Sequence, residues 1–166
     1  MVTTSYAIAV GSNRAGRHGR PEAEVRAALA LLGGRAAPVM QSAPVGPSLR
    51  RYANTVVLVE SALSPGEMLA WLKGIERAFG RRQGRRWGAR VIDLDIVLWS
   101  GGVWADRRLT VPHLRFRERD FVLRPLATLA PGWRDPVSGL TVRQLLARLT
   151  VRRPAPSRAA RLGWGP

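Results

Sequence analysis

Apolar positions recur along this chain in two rhythms, every second residue and every third to fourth, and their order predicts the architecture. Residues 6–10 form a short apolar run that stops at Gly11-Ser12-Asn13 and reads as a strand. A Gly/Arg-rich loop leads to Pro21, a favoured first helical residue, after which Val25, Leu29 and Leu32 keep helical spacing until Gly33-Gly34. Residues 36–42 predict a second strand, Pro44, Gly46 and Pro47 mark a loop over 43–51, and Thr55 to Val59 make a clear β run within 54–60. Ser64-Pro65-Gly66-Glu67 carries a helix-start signature, with Ser64 as the cap and Glu67 as its reciprocal partner three residues on. That helix is expected to reach about residue 79 on a stripe of Met68, Leu72, Ile75 and Phe79, and to end at Gly80. An arginine-rich loop over 81–90 then leads into a strand that ends near Trp99. Gly101-Gly102 turns the chain into a short strand at Val103-Trp104, paired with 109–111, and helices are expected over 116–123, 125–129 and 140–149. The first six elements order as β-α-β-β-α-β. This predicts an α+β fold with a ferredoxin-like core: a four-stranded antiparallel sheet with helices packed on it, plus a C-terminal hairpin and helices. One domain over 1–151 and a basic Pro/Ala/Arg-rich tail over 152–166 complete the reading.

The chemistry concentrates in the last core strand. Asp93 and Asp95 stand two apart in the apolar run Val91-Ile92-Asp93-Leu94-Asp95-Ile96-Val97, so a strand puts both carboxylates on one face and Ile92, Leu94 and Ile96 on the other. Adjacent carboxylates repel unless a cation or a proton lies between them. Immediately upstream stand Arg81, Arg82, Arg85, Arg86 and Arg90. Oxygen ligands for a divalent cation beside forked donors for phosphate oxygens suit a polyphosphate carrying metal. An Asp-X-Asp pair alone arises by chance, and arginine runs are commonly solvated; here each explains the other.

Composition narrows the classes. The 166 residues carry no cysteine, which excludes disulfides, thiolate metal sites and a thiol nucleophile, and the two histidines, His18 and His113, cannot form a multi-histidine centre. No apolar run approaches membrane-spanning length and no signal-type segment opens the chain, so cytoplasm is the expected location. The formal charge of +16 favours anionic partners, with Lys73 the only lysine. A basic nucleic-acid-binding module on a βαββαβ sheet is the rival reading. Such a sheet would expose aromatics and basic residues on its central strands, where this one offers aliphatics and two carboxylates that repel phosphate without metal.

With these residues in order, the chain resembles the 6-hydroxymethyl-7,8-dihydropterin pyrophosphokinase family of folate synthesis over about residues 5–150. The resemblance rests on Arg86-Trp87-Gly88-Ala89-Arg90 followed by Asp93-Leu94-Asp95-Ile96, and on Gly11-Ser12-Asn13, Pro44-Val45-Gly46-Pro47, Tyr52-Ala53-Asn54 and Arg108-Leu109-Thr110-Val111-Pro112-His113. It implies an ATP-dependent diphosphokinase that transfers pyrophosphate to the hydroxymethyl group of a reduced pterin and releases AMP, working as a monomer on small molecules with no nucleic acid or membrane partner. By resemblance, Asp93 and Asp95 hold two Mg2+ ions, with Arg81, Arg82 and Arg90 beside them in the catalytic centre. Lys73, Glu76, Arg86, Trp87, Ile96, Arg108, Thr110, His113 and Arg119 fall on the ATP side. Ser42, Pro44, Val45, Tyr52, Asn54 and Phe121 fall on the pterin side, a flat ring needing aromatic faces and in-plane hydrogen bonds. The 80–90 loop then reads as a closing lid, with Trp87 as its apolar plug.

Several positions depart from the family's habit. Ser42 and Ala43 stand where threonine and proline are common; Ala89 replaces a proline, and Leu114 an aromatic ring. The 46–52 and 80–86 loops are each about one residue short of some members, so Gln83 competes with Arg82 for one position. Taken without the resemblance, Phe121 is a core residue, Asn54 a turn cap, and Glu76 either surface charge or a local ion pair with Lys73, three residues away.

Overall fold

Strand β1 (Thr4–Ser12) can occupy the middle of a sheet because neither of its faces carries a charge: Tyr6, Ile8 and Val10 alternate with Ala7, Ala9 and Gly11. The computed structural model describes residues 1–42, 51–80 and 91–152; residues 43–50 of the loop expected over 43–51, the loop expected over 81–90 and the chain beyond 152 lie outside them. Helix α1 (Pro21–Leu32) follows β1. The strand expected over 36–42 is two pieces, β2 (Arg35–Ala36) and β3 (Met40–Ser42), because Pro38 between them has no N–H to give a ladder. Both pair with β4 (Tyr52–Ser61), which also pairs with β1; β5 (Asp93–Trp99) takes the other side of β1. Every pairing is antiparallel.

Helix α2 (Pro65–Ala78) starts where the signature placed it: Ser64 Oγ accepts the Glu67 N–H at 3.4 Å, and the Glu67 carboxylate accepts the Ser64 N–H at 2.8 Å. Its stripe of Met68, Leu72 and Ile75, with Phe79, packs with Val25, Ala28 and Leu32 of α1 on Tyr6, Ile8, Val10, Val57, Leu94 and Ile96 of the sheet. No contact accounts for Gly74 in this helix.

The opposite face is covered by the C-terminal elements. Asp120–Leu129 is one helix, α3, preceded by a single tight turn at Phe116–Glu118, whereas helices over 116–123 and 125–129 were expected. Pro125 forfeits one backbone bond, and the buried stripe Val122, Leu123, Leu126 and Leu129 carries the helix through it. Helix α4 (Val142–Arg152) begins two residues later than expected, behind a second capping box: Thr141 N–H donates to Gln144 Oε1 at 2.9 Å and Gln144 N–H to Thr141 Oγ1 at 3.2 Å. These helices pack on Ala7, Val56, Val97 and Leu98. Buried Asp135 ties the region together, accepting from Arg117 Nε and Nη2 at 2.6 and 2.7 Å. A hairpin of β6 (Trp104–Ala105) and β7 (Thr110–Val111) lies beside β5 and ends in a cis Val111–Pro112 bond. Among the described residues no helix is long and apolar enough to cross a membrane.

A β-bulge decides which way β5 points. Ile8 faces Ile96 but Ala7 faces Leu98, so Val97 is the extra residue. Before it, Asp93 and Asp95 share the face of Gly11 and Ala9; after it the parity changes, and Trp99 joins Tyr6 on the α1/α2 side, rings stacked 6.4 Å apart.

Candidate active site

Cross-strand register assembles the site. Asn54 on β4, Gly11 on β1 and Asp93 on β5 form one row across the sheet; Val56, Ala9 and Asp95 form the next. Tyr52 precedes Asn54 by two and lies on the same face, opposite Ser42 of β3. Asn54 and Asp93 are thus two strand spacings apart, about 10 Å. Between them the floor is glycine and alanine. A Cβ at Gly11 would lie 2.9 Å from Asn54 Oδ1, so the carboxamide reaches over this residue because it has no side chain. The other end of the amide donates to Ser42 Oγ at 2.5 Å. The turn that Asn54 might have capped is absent; it sits inside a strand.

Asp93 and Asp95 are half-buried on this face. Burial pushes the Asp95 carboxyl above the usual carboxylate range, and the charge of Asp93 pushes it further; His113, Lys73 and Arg119 lie near enough to pull it back. Among the described residues no group of three or more His, Cys, Asp and Glu side chains could enclose a metal. A pair of carboxylates does fit Mg2+, which takes one or two carboxylates from a protein and keeps waters and substrate phosphates among its ligands. The repulsion between the two is what such a cation would relieve.

His113 is fixed from both sides. Its N–H donates to Val97 O at 3.0 Å, tying the segment after β7 to the outer edge of β5. Its ring Nδ1 accepts the Arg115 N–H at 3.1 Å, which leaves the proton of the neutral ring on Nε2. Burial lowers its pKa, against the charge of Asp95, and favours that neutral form.

Lys73 and Glu76 form the ion pair their spacing suggested, at 2.9 Å. Glu76 is not surface charge, however. It is fully buried, and its Oε1 accepts the Leu94 N–H at 2.9 Å, between the two aspartates. Phe121, in the first turn of α3, borders the core cluster that Ala9 and Leu58 also border, so it lies on the site's face, with the Arg119 guanidinium 5.7 Å from its ring centre. Arg108 and Thr110 are exposed on the β6–β7 hairpin, where Asp106 shapes the turn by accepting the Arg108 and Leu109 N–H groups at 2.7 and 2.8 Å.

Ile96 lies on the face that alternation gives it. The Ile96 side chain lies in the core against α1 and α2, on the face away from the aspartates, so only its backbone is left for a ligand. Pro44, Val45, Arg81, Arg82, Arg86, Trp87 and Arg90 fall outside the described residues. Two features escaped the sequence reading: Gly11 as the floor, signalled only by a glycine inside a strand pattern, and the Glu76–Leu94 bond, which has no local signal. A third lies apart from the site. Buried Glu24 accepts from the His18 N–H and Gly19 N–H at 2.7 and 3.2 Å and pairs with His18 Nδ1 at 2.8 Å, closing the loop after β1.

Known proteins are similar to this chain in sequence or in fold. A family model described as 7,8-dihydro-6-hydroxymethylpterin-pyrophosphokinase (HPPK) matches residues 7–131. The 2-amino-4-hydroxy-6-hydroxymethyldihydropteridine pyrophosphokinase of Synechocystis sp. is 40% identical over 127 residues, 74% of this chain and 65% of that relative. The Pseudomonas aeruginosa protein of the same name is 37% identical over 155 residues, 89% and 92% of the two chains. Among solved structures, Plasmodium falciparum HPPK-DHPS with SDX-DHP matches with a TM-score of 0.71 at 13% identity, over 91% of this chain and 45% of that one. That last likeness concerns the fold alone.

Proposed function

Since the chain belongs to the 7,8-dihydro-6-hydroxymethylpterin-pyrophosphokinase family, we propose that it transfers the terminal pyrophosphoryl unit of ATP to the hydroxymethyl group of a reduced pterin. The hydroxymethyl oxygen attacks the β-phosphorus, the bond from that phosphorus to the α-phosphate oxygen breaks, and AMP leaves; the hydroxyl proton is released. The products are the pterin diphosphate and AMP. The observation that carries this reading is the row Asn54–Gly11–Asp93 with Asp95 in the row beside it, which puts an amide and a pair of carboxylates on one face across a floor of glycine and alanine.

Each end of the face suits one substrate. Tyr52 and Phe121 offer ring faces and Asn54 and Ser42 in-plane hydrogen bonds to the pterin, with Pro44 and Val45 assigned beside them from sequence. Asp93 and Asp95 are the residues that would hold two Mg2+ ions, which when bound neutralise the polyphosphate and acidify the attacking hydroxyl. Neutral His113 would donate from Nε2 to a phosphate oxygen, while Lys73, Arg108, Thr110 and Arg119 supply positive charge and a hydroxyl nearby. Arg81, Arg82, Arg86, Trp87 and Arg90 are assigned to the ATP side from sequence. Separating the ends by about 10 Å lets a hydroxymethyl group on the ring's edge reach toward the metal side. Both substrates bind on one chain's sheet, so the reaction needs no second subunit.

The test is product analysis with ATP, Mg2+ and 6-hydroxymethyl-7,8-dihydropterin. AMP and a pterin diphosphate should accumulate one for one by phosphorus NMR; ADP with a pterin monophosphate, or no transfer at all, would refute the proposal.

A further inference from the structure

The buried carboxylate of Glu76 has a job that its place in a nucleotide site does not explain. We propose that Glu76 is a positioning residue for the aspartate pair: from α2 it holds the backbone of Leu94, and so fixes how Asp93 and Asp95 project from β5. The inference rests on the reading of those aspartates as the metal-holding pair.

Four observations converge on it. Strand β5 is the last of the sheet's ladder, and among the described residues β1 is the strand that pairs with it, so its outer edge needs partners supplied by other elements. The Leu94 N–H finds one in Glu76 Oε1 at 2.9 Å, and three residues later the Val97 carbonyl finds another in the His113 N–H at 3.0 Å. The Leu94 side chain is buried in the core against α1 and α2, so backbone and side chain of the residue between the aspartates are both held. Finally, Glu76 is fully buried with Lys73 Nζ at 2.9 and 3.1 Å from its two oxygens. A buried carboxylate is costly unless it is paired and hydrogen-bonded, and the partners that help meet the cost include the backbone of the metal strand and an ammonium whose charge also acts on Asp95. The need for such a brace is electrostatic. Two like charges side by side on an edge strand push apart, and a strand free to twist would let them splay. Metal binding requires the reverse: two oxygens kept in place before the cation arrives.

The test compares Glu76→Ala with Glu76→Gln in the full chain. Glutamine keeps an oxygen to accept the Leu94 N–H; alanine does not. Three quantities are measured: hydrogen exchange of the Leu94 amide, the Mg2+ concentration for half-maximal binding of a non-hydrolysable ATP analogue, and pterin affinity without nucleotide. In Glu76→Ala the Leu94 amide should exchange about ten-fold faster and the Mg2+ midpoint should rise about ten-fold, one lost hydrogen bond's worth in each, with pterin affinity unchanged. In Glu76→Gln both should stay within about three-fold of the parent, since the acceptor is retained. A residue that touches the nucleotide gives a different pattern: weaker analogue binding at saturating Mg2+, with the Mg2+ midpoint and Leu94 exchange unmoved. That pattern, or a glutamine variant as impaired as the alanine one, overturns the proposal. Should the alanine variant unfold, the glutamine variant decides alone: Leu94 exchange or an Mg2+ midpoint raised about ten-fold overturns the proposal, while parent-like values for both uphold it. If the parent protein binds no Mg2+-analogue complex, the functional reading fails, while the Leu94 exchange comparison still tests the brace by itself.

Discussion

Adding a single methyl group at Gly11 should separate pterin binding from stability. The Cβ of Gly11→Ala would lie 2.9 Å from Asn54 Oδ1, roughly 0.5 Å inside ordinary van der Waals contact. The atom in its way is the tip of a side chain, so the fold can yield by turning the Asn54 carboxamide aside. Turning it sacrifices the bond to Ser42 Oγ, about 1 kcal/mol. Alanine in a strand interior regains about 0.5–1 kcal/mol of backbone entropy over glycine. The two nearly cancel, and the melting temperature should hardly move. The pterin, by contrast, meets an amide pointing the wrong way and a floor raised by a methyl. Losing one or two in-plane hydrogen bonds costs about 1–3 kcal/mol, a roughly five- to hundred-fold weaker complex. Fluorescence titration with a reduced pterin, beside thermal unfolding of the same samples, reads both quantities. Pterin affinity within two-fold of the parent would refute the reasoning, as would equal losses in pterin and nucleotide affinity.

Other perturbations address the remaining parts. Asp95→Asn should lower turnover by about two to three orders of magnitude while raising thermal stability, because it removes a carboxylate whose charged form burial and Asp93 both disfavour; a stability loss would contradict the electrostatic account. Phe121→Ala should weaken pterin binding by about 1–3 kcal/mol with nucleotide affinity unchanged, and Arg108→Ala should weaken nucleotide binding by about 2 kcal/mol with pterin affinity unchanged; calorimetry showing the same ligand lost in both would end the division. Asp135 supplies a pH dependence. Burial pushes its carboxyl up, but hydrogen bonds from Arg117, Ser138 and Val137 outweigh this and hold it at about 2, below its ordinary 3.8. A depressed acid stabilises the fold fully above its unfolded value and loses that contribution as pH falls through the folded one, here between about 4 and 2. The difference in unfolding free energy between the parent and Asp135→Asn should therefore be on the order of 2 kcal/mol at pH 7 and shrink toward pH 2; a difference that ignores pH would refute the linkage.

Local signals in the sequence proved legible where one residue decides one feature. The Ser64–Glu67 box set the start of α2, Gly80 and Gly33 closed their helices, and a period of two put Asp93 and Asp95 together. The Thr141–Gln144 box was equally local and went unread, which displaced the start of α4. What stayed hidden depends on contacts between distant segments. The extra residue at Val97 breaks strict alternation without any glycine to mark it, so the fate of Trp99 could not be read from spacing. Pro125 looked like a break because the stripe of Val122, Leu123, Leu126 and Leu129 that carries the helix through it packs on strands distant in the chain. Glu76 resembled half of a surface pair because the Leu94 N–H that justifies its burial lies 18 residues away. By contrast, alternation with the aspartates already puts Ile96 on the opposite face, and there it packs in the core.

The claim that one sheet face carries the whole reaction, carboxylates on β5 and ring site on β4 with Gly11 between, is tested most directly by a crystal structure with Mn2+, a non-hydrolysable ATP analogue and the pterin. Anomalous peaks should lie against the Asp93 and Asp95 carboxylates, with the pterin ring beside Asn54 and Tyr52 on the same face. Metal peaks away from both carboxylates, or a ring seated over the α1/α2 side of the sheet, would contradict it.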